Sequence, residues 1–424
     1  MVSTLPWNFF TENHEITYSI ILSAIVSFLT YLAIPSFFPA LLNAGLKGKD
    51  LGKLEKPVIP EAVGVICGMA YLVTLTLFVP IEFDVISQWL VSYLGGLLAI
   101  CWMILLGFLD DVLNLKWRHK LWIPTVASLP LLIVHYMYIE RTVVVLPPMP
   151  EFLENIAVQI VSTFIPDFVY SNTVDLGLLF YIYIGMLAVF CTNSINIYAG
   201  INGLEVGQSL VIAGSIITFN LAHLNVIEVS AYMHLSLHFM IPFFMISLVL
   251  FSYNKYPAKV FVGDTFCYFA GMTFAVVGII GHMSKTLLLF FIPQIFNFLF
   301  SVPQLFKIVN CPRHRLPKLN PETGLLENSY TDKFKLTGCG LRGLIRKIIV
   351  TVFRVTGLIK VREVGEDMVE CTNFTLINLA LIWLGPTSEK NLARFLIVLQ
   401  IVASLVAFGI RSDGYGLAGL IYQK

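Results

Sequence analysis

Apolar residues run along this chain in long blocks separated by short polar segments. Ten blocks lie at 18–42, 62–80, 89–109, 121–138, 176–192, 204–223, 231–252, 266–281, 286–305 and 393–410. Each approaches the length a helix needs to cross a bilayer, about 17–25 residues. Several contain Gly and Pro, which spanning helices tolerate because neighbouring helices re-satisfy the freed backbone groups. The pattern predicts ten transmembrane helices. A further apolar run at 372–385 is only 14 residues long and carries two Asn and two Thr. It reads as a strand or core segment of a small extramembrane unit. The β-branched run IIVTVFRV at 348–355 reads as a strand of the same unit. The expected organisation is nine spans in 1–305, a compact α/β insert in 306–392, and a final span with its tail in 393–424.

Composition supports this class. Of 424 residues, 57% are hydrophobic and only 12% charged, and the mean hydropathy is +0.81. Soluble domains carry about 25% charged residues, because their surfaces face water. The fold class is therefore an all-α polytopic membrane protein with a small α/β insert before the last helix. A net charge of +1 gives no basis for nucleic-acid binding. Cys67, Cys101, Cys191, Cys267, Cys311, Cys339 and Cys371 form no C-x-x-C pair. They fit neither a disulfide framework nor a zinc site, and read as small hydrophobes in helices. The N-terminus carries Glu12 and Glu15 rather than basic residues, and the first apolar run is long enough to be a span, so it is not read as a cleavable leader.

Lysine and arginine set the expected orientation. The connections 41–61, 110–120, 193–203, 253–265 and 306–392, with Arg394 beside the last, hold 23 of the 27 basic residues. Only Arg141, Lys285, Arg411 and Lys424 lie on the other side. Leaving out the long insert and Arg394, the split is still 9 against 4. These connections are expected to be cytosolic, with both termini on the lumenal side. The sequon Asn373-Phe374-Thr375 then faces the cytosol, where it escapes glycosylation.

The polar chemistry gathers on that same side. Its clusters are GKDLGKLEKPVIPEAVG (48–64), GFLDDVLNLKWRHK (107–120), NSINIYAGING (193–203), VFVGD (260–264) and CPRHRLPKLN (311–320). Asp110 and Asp111 alone could be a snorkelling helix terminus. They also suit a divalent metal or phosphate-transfer site, since Mg²⁺ takes oxygen ligands and needs only one or two carboxylates. Asn114 is spaced to share their helix face. Asn193, Asn196 and Asn202 supply neutral oxygen and amide groups, while Gly200 and Gly203 let the backbone approach a base or phosphate. Asp264 offers another acidic ligand. Arg313, His314 and Arg315, between Pro312 and Pro317, make a cationic fork suited to pyrophosphate; basic residues beside lipid headgroups are the plainer reading.

The motifs DDVLNLKWRHK, NSINIYAGINGLEVGQ, VFVGDTFCYFAGM and CPRHRLPKLN together resemble the eukaryotic dolichyl-phosphate branch of the polyprenyl-phosphate N-acetylhexosamine-1-phosphate transferases, over about residues 40–410. The resemblance implies transfer of GlcNAc-1-phosphate from UDP-GlcNAc to dolichyl phosphate, the first step of lipid-linked oligosaccharide synthesis for N-glycosylation. It further implies Mg²⁺, a homodimer in the endoplasmic reticulum membrane, and a cytosolic active site. Carried onto matching positions, it makes Asn196 and Asp264 metal ligands. Asp110 and Asp111 become the acidic pair and Lys120 a basic residue near the phosphates. Leu51, Gly200, Asn202 and Phe261 form the uridine pocket, and Lys53 and Glu61 are polar positions of the first cytosolic loop. Arg313, His314 and Arg315 close over pyrophosphate and sugar. The insert after Arg313-His314-Arg315 favours the eukaryotic branch over the bacterial one. A transferase for another UDP-HexNAc or polyprenyl phosphate stays open. So does a lipid or nucleotide-sugar transporter, although transporters place polar groups near the bilayer midplane rather than at one interface. The segment 139–175 has no assigned role.

Overall fold

The computed structural model describes residues 14–83, 87–113, 115, 117–138, 142–145, 156, 159, 162–163, 173–227, 229–312, 315–336, 340–365 and 368–412. Its long helices are α1 (His14–Asn43), α2 (Gly64–Glu82), α3 (Gln88–Leu113), α4 (Trp117–Tyr138), α5 (Leu178–Ile197), α6 (Leu204–His223), α7 (Ser230–Asn254) and α8 (Gly263–Ile280). A short α9 (Ser284–Phe290) and α10 (Ile292–Leu305) follow. After the insert comes α13 (Glu389–Ser412). Eight of these helices are long and apolar enough to cross a membrane. Two more of the expected spans are present in altered form. The fourth has a shorter apolar stretch, Trp122–Tyr138, and the ninth is α9 and α10, bent by 73° at their junction. The chain is a multi-pass membrane protein.

Proline explains the break. Pro293 stands in the first turn of α10, where a missing N–H costs nothing, but it cannot continue α9. Gln400 of α13 donates to the Phe290 carbonyl at the break (2.9 Å), and Gln294 donates to both Gln400 (2.7 Å) and Gln208 (2.8 Å). These amides satisfy in the interior what the bend exposes.

Helix α8 is the centre of the bundle: every residue from Thr265 to Ile280 is buried, and it packs on α3 and α5. Gly271 permits the approach, since a Cβ there would lie 2.4 Å from the Thr192 Cα. Between α1 and α2, strands β1 (Lys47–Lys49) and β2 (Val58–Pro60) form an antiparallel hairpin. Its exit is zipped to the start of α8, because Phe261 N–H donates to the Pro60 carbonyl (2.8 Å) and Gly64 N–H to the Val262 carbonyl (2.9 Å). At the opposite end, β3 (Val143–Val145) pairs with β4 (Thr173–Asp175); most of 139–175 lies outside the described residues.

Between α10 and α13 lie a two-stranded ribbon, β5 (Lys318–Leu319) with β6 (Leu326–Glu327), and a three-stranded sheet. In the sheet, β9 (Met368–Cys371) sits between β7 (Phe334–Lys335) and β8 (Val361–Gly365). The 348–355 run is not a strand: it belongs to helix α11 (Leu341–Val355). Beta-branching suggested a strand, but the apolar positions Leu341, Leu344, Ile345, Ile348, Val352 and Val355 repeat every three or four residues, and this periodicity prevails. The 372–385 run contains α12 (Leu376–Leu384), nine residues long. Its rise of about 14 Å is far short of a bilayer, and Leu376–Leu381 are buried. The core of this region includes Tyr198, Ile201 and Leu204 from the segment joining α5 to α6. The insert thus props that segment from behind.

The sequon is part of this core. Asn373 is buried; its amide donates to Ser329 Oγ and accepts from Gln304 Nε2, each at 2.9 Å. Asn373 is therefore expected to carry no glycan. A glycosidase-sensitive mass shift that disappears in Asn373→Gln would overturn both this burial and the orientation inferred from charge.

Candidate active site

The polar clusters converge where α3, α5 and α8 end near the β1–β2 hairpin. There a cleft of about 240 Å³ is lined by residues of the hairpin, of α5 and α8 and of the segments beside them, among them Leu51, Glu61, Asn196, Gly200, Asn202, Phe261 and Asp264. Asp110, Asp111 and Lys120 do not line it but adjoin it through Asp264. Leu316 and Pro317, which follow Arg315, and Glu389 at the start of α13 also line it.

One ammonium ties the acidic residues together. Lys120 Nζ, from the first turn of α4, lies 2.8 Å from Asp110 Oδ2 and 2.6 Å from Asp264 Oδ2. Asp110 is buried and also accepts from Tyr268 OH (2.9 Å) and Leu115 N–H (3.0 Å). Asp111 points differently. Its carboxylate accepts the Asp264 N–H (2.6 Å), the Thr265 N–H (3.1 Å) and the Thr265 hydroxyl (2.5 Å). A carboxylate on the free N–H groups of a helix start is favoured by the helix dipole, so Asp111 fixes the end of α8 that carries Asp264. Gly263 makes this possible. It lies at φ +76°, and a Cβ would sit 2.4 Å from Asp111 Oδ2 and 2.8 Å from the Ala62 Cα.

Glu61 follows the hairpin, and its carboxyl is pushed up from the ordinary range by burial and then by the negative charge of Asp264. Lys53 turns to Asp50, with which it is ion-paired. Asp50 in turn accepts from Asn202 Nδ2 at 3.0 Å. Glu389 accepts from the Asn202 N–H (2.8 Å) and Nδ2 (3.4 Å). Glu205 accepts the Gly200 N–H at 2.9 Å. Gly200, at φ +120°, lies under Leu316; a Cβ would come within 2.0 Å of the Leu316 Cδ2. The Arg315 backbone is held by α12, since its carbonyl accepts from Asn378 Nδ2 (2.9 Å) and Ser329 Oγ (3.2 Å). Its side chain is half-buried, Nη1 has no hydrogen-bond partner among the described residues, and burial lowers its pKa. Such a group gains most from an anionic partner. Arg313, His314 and Asn114 lie outside the described residues.

Sequence reading did not single out Asp50, Glu205, Thr265, Tyr268 or Glu389. Thr265 borders an apolar run and Tyr268 is hidden inside it, and Glu389 is almost two hundred positions from Asn202 in sequence. Glu205 left one signal, an acid in the first turn of a helix.

The donor set suits a hard divalent cation. Asp110 and Asp264 share a single ammonium, and Asp111 is held by uncharged donors beside them, so the three carboxylates exceed the local positive charge, which a divalent cation would offset. The Asn196 amide lines the cleft without a hydrogen bond to any described residue. Among the described residues, the group of three acidic or histidine side chains whose ligand atoms lie within 4.8 Å of one another is Glu15, Glu82 and His238, at the far end of α2 from this cleft. The cleft's own acids are instead tied to Lys120 and to the start of α8.

Residues 93–282 match the model of glycosyl transferase family 4. The UDP-N-acetylglucosamine–dolichyl-phosphate N-acetylglucosaminephosphotransferase of Schizosaccharomyces pombe is 41% identical, over 95% of this chain and 92% of its own length. The enzyme of that name from Dictyostelium discoideum is 43% identical over 95% of this chain and 91% of its own length. The phospho-N-acetylmuramoyl-pentapeptide-transferase of Listeria innocua is 25% identical over 78% of this chain and 97% of its own.

Proposed function

This chain belongs to the UDP-N-acetylglucosamine–dolichyl-phosphate N-acetylglucosaminephosphotransferases of glycosyl transferase family 4, and from that premise we propose how its residues divide the work. The enzyme transfers GlcNAc-1-phosphate from UDP-GlcNAc to dolichyl phosphate, giving GlcNAc-PP-dolichol and UMP. An oxygen of the lipid phosphate attacks the β-phosphorus, and the bond to UMP breaks. The observation that carries the assignment of roles is Lys120 held between Asp110 and Asp264, the latter lining a cleft that also includes Asn196, Asn202, Gly52, Gly200 and Gly263.

Asp264 and Asn196 would hold Mg²⁺, which, when bound, withdraws charge from the diphosphate. Lys120 offsets the anionic oxygens, and Asp110 fixes its position. Asp111 is a positioning residue that holds the start of α8. Leu51, Gly200, Asn202 and Phe261 form the uridine pocket. Glu61 lines the cleft beside Asp264, and Lys53 acts through Asp50. Arg313, His314 and Arg315 close over pyrophosphate and sugar, the last on a backbone anchored by Asn378 and Ser329. Asn114 lies beside the aspartates in sequence.

The route is a single displacement. A phosphate monoester is largely a dianion near neutral pH, so the acceptor needs charge compensation rather than a base. The hydrogen bonds that occupy Asp110 and Asp111 support this, since neither carboxylate is free to act as a nucleophile. We place the enzyme in the endoplasmic reticulum membrane, with the cleft cytosolic and both termini lumenal, in accord with the basic residues on the cleft side. By the same reading 1–305 is the catalytic membrane domain, 306–392 the cytosolic insert, and 393–424 the final span and tail.

The test is reconstitution of purified protein with UDP-GlcNAc, dolichyl phosphate and Mg²⁺. UMP and lipid-linked GlcNAc should form in equal amounts. UMP without lipid product, or no UMP at all, would refute the assignment.

A further inference from the structure

Helix α11 carries two apolar faces, and only one of them has a protein partner among the described residues. Val350 is buried and Phe353 half-buried. The Phe353 ring lies 5.3 Å from Phe300 of α10 and 5.4 Å from Phe374. On the other side Leu341, Leu344, Ile345, Ile348, Val352 and Val355 form an exposed stripe. At 100° per residue these six fall within one face. A water-facing helix would carry polar groups there.

The setting says what covers the stripe. The start of α11 is tied to the end of the ninth span: Arg342 Nη2 donates to the Phe306 carbonyl (3.2 Å), and Arg346 Nε to that of Ile308 (2.7 Å). Phe353, near its other end, meets Phe300, inside that span. Phe306 and Leu299 there are themselves exposed, at 62% and 61%, so the stripe continues an apolar, lipid-facing surface. The charge is one-sided as well. Leu341–Val355 contains Arg342, Arg346, Lys347 and Arg354 and no acidic residue. Apolar residues on one face flanked by basic side chains are the composition of helices that lie in the headgroup region of a membrane.

We propose that α11 is embedded in the phospholipid leaflet on the cleft side, anchoring the insert to the bilayer. The insert is then a membrane-seated unit rather than a domain free in the aqueous phase. The tie has a consequence for the cleft, because the insert core includes Tyr198, Ile201 and Leu204 and its α12 holds the Arg315 carbonyl. The leaflet thereby fixes the height of the cleft wall and of the Arg315 segment relative to the lipid phosphate that must reach them.

A photoreactive benzophenone amino acid at position 348 tests this. It is introduced into the full chain, which is reconstituted in phosphatidylcholine–phosphatidylinositol vesicles. The same probe at the exposed Leu299 of the span and at the exposed Glu363 of the sheet gives the lipid-facing and water-facing references. After illumination, the phospholipid adduct at 348 should match that at 299 within about threefold and clearly exceed that at 363, as expected for a side chain below the headgroups. Adduct no greater than at 363 would overturn the proposal. So would a cross-linked dimer in its place, which would make the stripe an interface between two copies. The readout is an adduct mass, and activity measured on the same sample shows that the labelled protein is folded.

Discussion

Asp264→Ala is expected to lose turnover by at least about 10²-fold, the usual effect of removing one group that stabilises charge in the transition state. Its carboxylate is shared between Lys120 and the proposed metal position. Of the other acids lining the cleft, Asp50, Glu205 and Glu389 are bound to Lys53, Gly200 and Asn202, and Glu61 stands beside Asp264 without an ammonium of its own among the described residues. Asp110 is enclosed by Lys120, Tyr268 and Leu115, and Asp111 is committed to the start of α8. Neither can swing over to replace it. Folding should survive, since Lys120 keeps its ion pair with Asp110 at 2.8 Å. Asp264→Asn preserves the shape and removes only the charge, so it should raise the Mg²⁺ concentration needed for half-maximal rate as well as lower the maximum. Chelation of the wild-type enzyme should abolish activity, with recovery on Mg²⁺ addition. Activity of Asp264→Ala above about a tenth of wild type at saturating Mg²⁺ would remove it as a ligand, because so small a loss is below what a lost metal carboxylate costs.

Most of the bundle was legible because the signal for a span is simple. A bilayer fixes the length of an apolar block, and charge is too costly inside it to be scattered. Ten blocks were read, and the two that depart from straight long helices do so for local reasons, Pro293 and the polar start of α4. Asp264 could be picked out as an isolated acid at a helix start. Lys120 was named by its motif, but not its pairing with Asp264, which lies 144 positions away in sequence. Asp111 was legible as an acid but not as a cap on another helix, which depends on how α3 meets α8. The error at 348–355 came from weighing residue type above spacing. In α11 the apolar positions repeat with the helix, and beta-branched side chains follow that period when a face is to be filled.

The proposed nucleobase pocket carries a second large expected effect, on specificity rather than rate. Asn202 Nδ2 faces two carboxylates, Asp50 at 3.0 Å and Glu389 at 3.4 Å. An ionised carboxylate can only accept, so the amide cannot turn over, and Oδ1 is the end left for the cleft. An acceptor there suits the ring N–H of uracil; cytosine offers a lone pair at that position and would be repelled. Glu389→Gln keeps the side-chain size that Gly52 accommodates, a Cβ at Gly52 falling 2.5 Å from Glu389 Oε2. It also keeps an acceptor for the Asn202 N–H. What it loses is the constraint, because an amide can donate as well as accept. Asn202 should then reorient at a cost of roughly one hydrogen bond, about 1 kcal/mol. In Glu389→Gln the preference for UMP over CMP as an inhibitor should therefore narrow by about fivefold, which corresponds to about 1 kcal/mol. KM for UDP-GlcNAc should rise by a similar factor, while KM for dolichyl phosphate stays at the wild-type value. Paired with Asp50→Asn, the effect should grow, since both carboxylates hold the same amide. A loss of kcat alone, with the UMP-to-CMP ratio unchanged, would mean that Glu389 supports the fold and does not orient the base-reading amide.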